Sequence, residues 1–202
     1  MNMPSIKIVF DFCCPYCYLA WGFVRKLQQD VTFDVEWMSW EIHPELPLKG
    51  LALAELIPAE DLEESRSRLN ALGVPVKLTP GDNSFAPNTR LALQGLEFAK
   101  EHGKEQEWVD AVYKSHFAEG KNIGEMMILL DIAERIGLCA DKLHTALTVN
   151  QYKDILLSHD QICTQNHIEW VPTVFFNDKK ILEGILSYED FVEAITTLTE
   201  VH

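Results

Sequence analysis

Between Ile6 and Phe12 the chain alternates, with Ile6, Ile8, Phe10 and Phe12 on one side of an extended backbone. Val9 adds an apolar position on the other side, so both faces of this predicted strand are expected to be covered. That is the pattern of a sheet with helices on each side. From Pro15 to Gln28 the period lengthens, and Tyr18, Leu19, Gly22, Phe23 and Leu27 fall at helical spacing. Pro15 suits the first turn of a helix, where its missing N–H is no loss. Alternation returns at Val31, Phe33, Val35 and Trp37, which predicts a second strand ending at Trp37. Strand, helix and strand in this order make a βαβ unit with parallel strands.

After the proline- and glycine-punctuated stretch Glu41 to Gly50, the pattern is helical for about a hundred residues. Helices are predicted near 59–72, 88–102, 104–117, 124–136 and 140–148, bounded by breakers such as Gly73, Pro87, Gly103, Gly120 and Gly137. Leu78 to Asn88 is a loop by composition. A longer helix at 150–166 leads to a strand from Val171 to Phe176, a tight turn at Asn177-Asp178 and a returning antiparallel strand from Lys180 to Glu183. Ser187 with Asp190 three residues on opens a last helix whose apolar stripe is Phe191, Ile195 and Leu198. The order β-α-β, helical block, α-β-β-α is that of an α/β thioredoxin fold carrying a large all-helical insertion. Residues 1–48 and 150–202 would form one discontinuous domain and 49–149 the insertion, because the flanking halves complete each other.

A chain of 202 residues can bury a sizeable core without covalent staples, so its cysteines need another explanation. The formal net charge of −14 argues against nucleic acid and anionic membrane surfaces as partners. The acidic run from Glu55 to Glu64 is expected to be a solvated helix face. No stretch approaches the ~20 apolar residues of a membrane span. The start MNMPSIKIVFDFCC lacks a basic segment and a small-residue cleavage site, so the expected compartment is the cytoplasm. There a lone CxxC is more often catalytic or metal-binding than structural.

Three of the five cysteines stand in DFCCPYC, Asp11 to Cys17. Structural zinc takes four ligands, usually from two such pairs. Here Cys139 and Cys163 stand alone, and His43, His102 and His144 have no ligand spacing to the pair, so no metal is expected. A strand followed by CxxC and a helix instead places Cys14 at the helix N-terminus, where unpaired N–H groups and the macrodipole favour a thiolate. Cys17, one turn inside, is close enough to attack a mixed disulfide on Cys14. Cys14 is then the attacking thiol and Cys17 the resolving one. Far along the chain, Pro172 opens a strand where it cannot donate to the ladder. A cis Val171–Pro172 bond would leave the backbone of Val171 free to pair with an extended substrate.

Taken together, the strand, CPYC and helix, the helical insertion and VPTVFF…EG resemble the DsbA-like thioredoxin-fold oxidoreductase family, and in particular its cytosolic FrnE-like branch. WMSWEIHPELPLKG, PNTRLAL and HFAEGKNIG fit that branch as well, and the likeness spans essentially the whole chain. It implies a dithiol–disulfide oxidoreductase with Cys14 and Cys17 as the pair and Pro172 as the cis-proline. Pro15, Tyr16, Val171 and Asn88 are the implied substrate contacts. No cofactor is implied, with glutathione as a co-substrate or reductant. The partners would be a disulfide-containing protein or small molecule and a glutathione or thioredoxin-type recycling system.

The chain departs from the family pattern in three places. Pro15-Tyr16 replaces the Pro-Trp of the branch and resembles the glutaredoxin dipeptide, which implies a potential nearer ~−200 to −230 mV than the ~−120 mV of DsbA. His167 and Trp170 stand where glycines are common, beside the Pro172 groove. Cys13 adjoins the nucleophile, as an inert neighbour or an alternative partner. Asp11 is either a solvated strand-end carboxylate or a group that orients the active-site loop or moves protons during exchange. Cys139 and Cys163 are expected to be buried, unreactive thiols on two different helices, with a second, regulatory disulfide as the alternative if helix packing brings them together.

Two rival readings remain open at this stage. FDFCCPYCYLA also resembles the FDF-x-SPYSYLA pattern of glutathione-dependent chromene-carboxylate isomerases and kappa-class glutathione transferases, where Cys14 would act alone or position a glutathione thiol. A resolving thiol at Cys17 has no use in that chemistry. A binding or chaperone module on the same fold is the non-enzymatic alternative.

Overall fold

The computed structural model describes residues 5–177, 179–184 and 187–199. It opens with β1 (Ser5–Phe10), α1 (Pro15–Leu27) and β2 (Asp34–Ser39). Next come β3 (Leu51–Ala52), α2 (Leu53–Leu56), α3 (Ala59–Gly73), β4 (Phe85–Ala86), α4 (Arg90–Glu101) and α5 (Glu105–Tyr113). α6 (Met126–Arg135), α7 (Ala140–Thr148) and α8 (Lys153–Gln165) follow, and β5 (Thr173–Phe176), β6 (Lys179–Glu183) and α9 (Tyr188–Thr199) close the chain. Four of the strands form a sheet in the order β2-β1-β5-β6, with β1 parallel to β2 and antiparallel to β5, and β6 antiparallel to β5, while β3 and β4 pair separately. This is the α/β thioredoxin arrangement with helices inserted between β2 and β5.

β1 is central and buried on both faces: Ile6, Ile8, Val9 and Phe10 are all sequestered. Its pairing stops at Phe10, two residues short of the alternating run, because the chain turns at Asp11. The Cys14 N–H donates to the Asp11 carbonyl at 3.2 Å, and the Phe10 carbonyl is taken by the Trp40 N–H at 2.8 Å. Phe12 is nevertheless fully buried, so the alternation reported its packing rather than its ladder bonds. β2 likewise begins at Asp34 rather than Val31, since the ladder with β1 starts at Ser5 opposite Asp34. Its outer edge is sealed by the helices: Trp37 N–H donates to Glu105 Oε1 at 2.8 Å, and Lys100 Nζ to the Trp37 carbonyl at 2.6 Å. A side chain that covers an edge in this way blocks strand addition from another molecule.

α8 starts at Lys153, three residues after the predicted start, because Asn150 adopts a left-handed φ of 52°. α5 gives way at Lys114 to a π-helical turn, Lys114–Ala118. The predicted loop 78–88 contains β4, which pairs antiparallel with the distant β3 over two residues, too few to show a period. α4 and α5 pack so closely that a Cβ on Gly95 would lie 2.2 Å from Trp108 Cζ2. α9 is capped as expected, with Ser187 Oγ accepting from Asp190 N–H at 3.1 Å and Ser187 N–H donating to Asp190 Oδ2 at 3.3 Å. Asp178 of the expected turn and the side chain of Leu198 lie outside the described residues.

Candidate active site

The turn after β1 delivers Cys14 to the N-cap of α1, with extended backbone angles and Pro15 immediately behind it. Its sulfur is almost buried and donates to the Val171 carbonyl across 3.7 Å. Cys17 is wholly buried and its thiol hydrogen-bonds to Cys14. Burial first, then that hydrogen bond and the charge Cys14 can carry, push the Cys17 thiol well above its ordinary range. Both thiols are free. The pair therefore has two unlike members, an outer sulfur at the helix N-terminus and an inner one held protonated.

The facing segment is fixed on both sides. Glu183 Oε1 accepts from the Glu169 and Trp170 N–H groups at 2.7 and 3.2 Å. Thr173 Oγ1 donates to the Trp170 carbonyl, and Gly184 N–H donates to the Pro172 carbonyl at 2.9 Å. The Val171–Pro172 peptide is cis. His167 sits at a left-handed φ of 50°, the conformation that makes glycine common at such a position. Trp170 stands 67% exposed and packs beside Gly184.

On the opposite side of Cys14 lies a cavity of about 440 Å³. Cys13, Cys14, Pro15 and Tyr16 form its floor, and side chains from the segment 42–86 with Phe117 form its walls. Phe117 also stacks on Tyr18 with centroids 4.3 Å apart, joining the cavity to α1.

A model of the DSBA-like thioredoxin domain matches residues 5–196. The chain belongs to the DsbA-like thioredoxin family. It is 28% identical over 201 residues, and 95% of each chain, to the Bacillus subtilis protein YwbO. A probable DsbA oxidoreductase from Streptomyces coelicolor superposes with a TM-score of 0.84 at 20% identity, covering all of this chain and 92% of that one. The cytosolic disulfide reductase DsbM from Pseudomonas aeruginosa, solved with GSH, superposes with a TM-score of 0.69 at 14% identity over 98% of both chains. At these identities the two structures share the fold of this DsbA-like chain.

Asp11 is not the solvated strand-end carboxylate that was one of its two expectations: it is fully buried. Its Oδ2 accepts from Ile42 N–H at 2.9 Å, its Oδ1 from Cys13 N–H at 3.4 Å, and the Thr89 hydroxyl also bonds to it. One carboxylate thus ties the active-site turn to the segment after β2 and to the start of α4. Burial raises its pKa against the pull of those bonds. Cys13 is half-buried on the cavity floor, and burial followed by the nearby Asp11 and Cys14 pushes its thiol well up.

Asn88 requires a correction. It is 2% exposed, its Nδ2 donates to the Leu46 carbonyl at 2.8 Å and its Oδ1 accepts from Arg90 N–H. Its amide is spent on bracing the start of α4, and it does not line the cavity; its neighbour Thr89 is the member of that motif that reaches the site. Cys139 is a second correction. It is exposed at the N-cap of α7, whereas Cys163 is buried, with its thiol pushed up to about 12. Among the described residues no group of three His, Cys, Asp or Glu could hold a metal ion, and no helix is long and apolar enough to cross a membrane.

Sequence reasoning also passed over Tyr113, His116 and Arg66. Tyr113 is buried among Phe10, Phe12, Tyr18 and Trp21, and its hydroxyl has no partner. His116 is buried behind the cavity wall, its Nε2 2.8 Å from Asn83 Nδ2 and its Nδ1 3.3 Å from the Lys121 carbonyl. Asn83 Oδ1 already accepts from Phe85 N–H, so its amide nitrogen faces His116 and Nε2 must accept. The imidazole is neutral there, and burial brings its pKa from 6.5 down to about 4. A lowered folded-state pKa contributes stability that is complete above the unfolded value and lost as pH falls through the folded one. Acid unfolding should therefore steepen between pH 6.5 and 4, by about 3 kcal/mol from this one group. His116→Gln should flatten that window in urea titrations run across it.

Proposed function

We propose that this DsbA-like chain is a thiol–disulfide oxidoreductase working through Cys14-Pro15-Tyr16-Cys17. The observation that carries the reading is the asymmetric pair: Cys14 at the helix N-terminus facing Val171, and Cys17 behind it with its thiol on the Cys14 sulfur. The Cys14 thiolate attacks one sulfur of a substrate disulfide, forming a Cys14–substrate disulfide. The other substrate sulfur leaves as a thiol, taking up the proton Cys14 has given to solvent. Cys17 then attacks Cys14 Sγ, giving its proton to the departing second thiolate. The cysteine pair loses two electrons and the substrate gains them. The Val171 carbonyl, which holds the Cys14 thiol in the resting enzyme, is free to accept from a substrate backbone once the mixed disulfide forms.

In this reading residues 1–48 and 150–202 carry the exchange chemistry, and 49–149 shape the approach to Cys14. Asp11 is a positioning residue whose contacts hold the active-site turn, with proton transfer through it open to test. The protein acts in the cytoplasm, in the manner of the FrnE-like branch. A reducing poise there keeps the resting pair as dithiols, so the net direction is reduction, with a glutathione or thioredoxin-type system restoring the thiols. The likeness to the cytosolic disulfide reductase DsbM, solved with GSH, supports a cytosolic, glutathione-linked role by analogy. Steady-state reduction of 2-hydroxyethyl disulfide, with reduced glutathione as the electron source, tests the reading. Turnover that depends on both Cys14 and Cys17 is expected; turnover independent of Cys14 rejects it.

A further inference from the structure

α3 is amphipathic in an unusual way. Glu60, Glu63, Glu64, Ser67 and Arg68 gather on its outer side, while Leu62, Ser65, Arg66 and Leu69, spaced i, i+3, i+4, i+7, face the cavity beside Cys14. An arginine on that inward stripe needs a reason. Its Nε is buried with no hydrogen-bond partner, and among the described residues no carboxylate forms an ion pair with it. Glu63 and Glu64 lie on the same helix, yet the guanidinium is not turned out to meet them. The one carboxylate on the cavity lining, Glu45, is engaged by His43 at 3.0 Å on the exposed rim. The cavity is thus an apolar chamber with one cation lacking its anion, and Cys14 is among its lining residues.

We infer that this cavity binds a small molecule with an apolar body and a single carboxylate, the carboxylate on Arg66 and the apolar body against Leu62, Leu69 and Phe117. An arginine meets a carboxylate through two parallel N–H···O bonds, which fixes the ligand's direction as well as its place. A volume of about 440 Å³ lies in the range of small-ligand sites and is too small for a folded partner. Chain-wide charge repels anions, so a preference for one must come from this local cation. This rests on the thiol–disulfide reading in one respect: the sulfur chemistry at Cys14 makes the preferred substrate the disulfide of an apolar thiol acid, one half of which, with its single carboxylate, occupies the cavity. Its reduction by the Cys14–Cys17 dithiol yields two molecules of the thiol acid and one enzyme disulfide.

Calorimetric binding of 4-phenylbutanoate and of its uncharged amide to the Cys14→Ser/Cys17→Ser protein tests the cavity without the chemistry. The acid is expected to bind at least tenfold more tightly than the amide, and Arg66→Gln to erase the difference. Equal binding of the two, or no binding of either, overturns the inference. Exchange is read separately in the otherwise unaltered enzyme with 6,6'-dithiodihexanoate and its diamide. Arg66→Gln should raise KM for the diacid at least tenfold and so bring it to the KM of the diamide. Acid-selective binding without any exchange would reject the oxidoreductase reading and keep the cavity. Exchange with no preference for the diacid would do the reverse.

Discussion

Replacing Cys14 by serine is expected to abolish disulfide exchange, lowering the rate by at least about 10³-fold, as loss of a covalent nucleophile does. A serine hydroxyl can occupy the N-cap of α1, so the fold should persist, and circular dichroism of the variant should match the parent. Cys17→Ser has a different signature. Cys14 still attacks, but nothing resolves the mixed disulfide, so the substrate stays attached and is seen as added mass on Cys14. Two outcomes separate the partners: no adduct with Cys14→Ser, and a long-lived adduct with Cys17→Ser. Full activity of Cys14→Ser would remove the basis of the account. An adduct that clears in Cys17→Ser as fast as in the parent would give the resolving role to another thiol, and Cys13 on the cavity floor is the nearest in sequence.

The second large effect is expected at Asp11. Asp11→Ala leaves the Ile42 and Cys13 N–H groups buried without acceptors, and each orphaned donor costs about 1–3 kcal/mol. The variant should lose about 2–5 kcal/mol in urea titration. Asp11→Asn keeps an acceptor oxygen and the shape, so it should recover a large part of that loss. The pH dependence follows from the sign of the shift. Burial raises the folded-state pKa of Asp11, so the stability it confers is complete below the ordinary value of 3.8 and is lost as pH rises through the raised one. Asp11→Asn should remove that decline. The exchange rate of Asp11→Asn, followed against pH, divides its two candidate roles. An unchanged profile leaves Asp11 as a brace, whereas a displaced or flattened profile gives it a part in moving protons. The slopes of Asp11 and His116 are opposite in sign, and single replacements separate them.

The site was legible where one residue type at one spacing carries the chemistry. The change of period from two to helical places the break between β1 and α1, and Cys14 falls on that break. Asp11 was harder because a carboxylate at a strand end is usually solvated. Its burial depends on Ile42 and Thr89 arriving from segments 31 and 78 residues further on, which no local pattern records. The same distance explains Asn88, which stands in a motif that does reach the site, but through the hydroxyl of the next residue. β3 and β4 pair over two residues each, below the length at which alternation can be seen. Arg66 did leave a signal. Leu62, Arg66 and Leu69 share one helical stripe, and a cation on such a stripe can be found by spacing alone. It was hidden by the acidic run just before it, which draws attention to the solvated side of the same helix.

Cys139 shows a different limit. Its neighbours Leu138 and Leu143 are buried, yet the N-cap position turns its own side chain outward. Hydrophobic surroundings in the sequence do not fix the direction of a residue that lies outside the helical repeat.

The most direct test of the central claim is a glutathione redox titration of the intact protein, read by mass spectrometry after alkylation of free thiols. The account predicts a two-electron transition in which Cys14 and Cys17 lose their alkylation together, with Cys163 remaining a thiol throughout. A titration in which no Cys14–Cys17 disulfide forms, and Cys14 only carries glutathione, would contradict it and favour a glutathione-dependent isomerase or transferase at the same site.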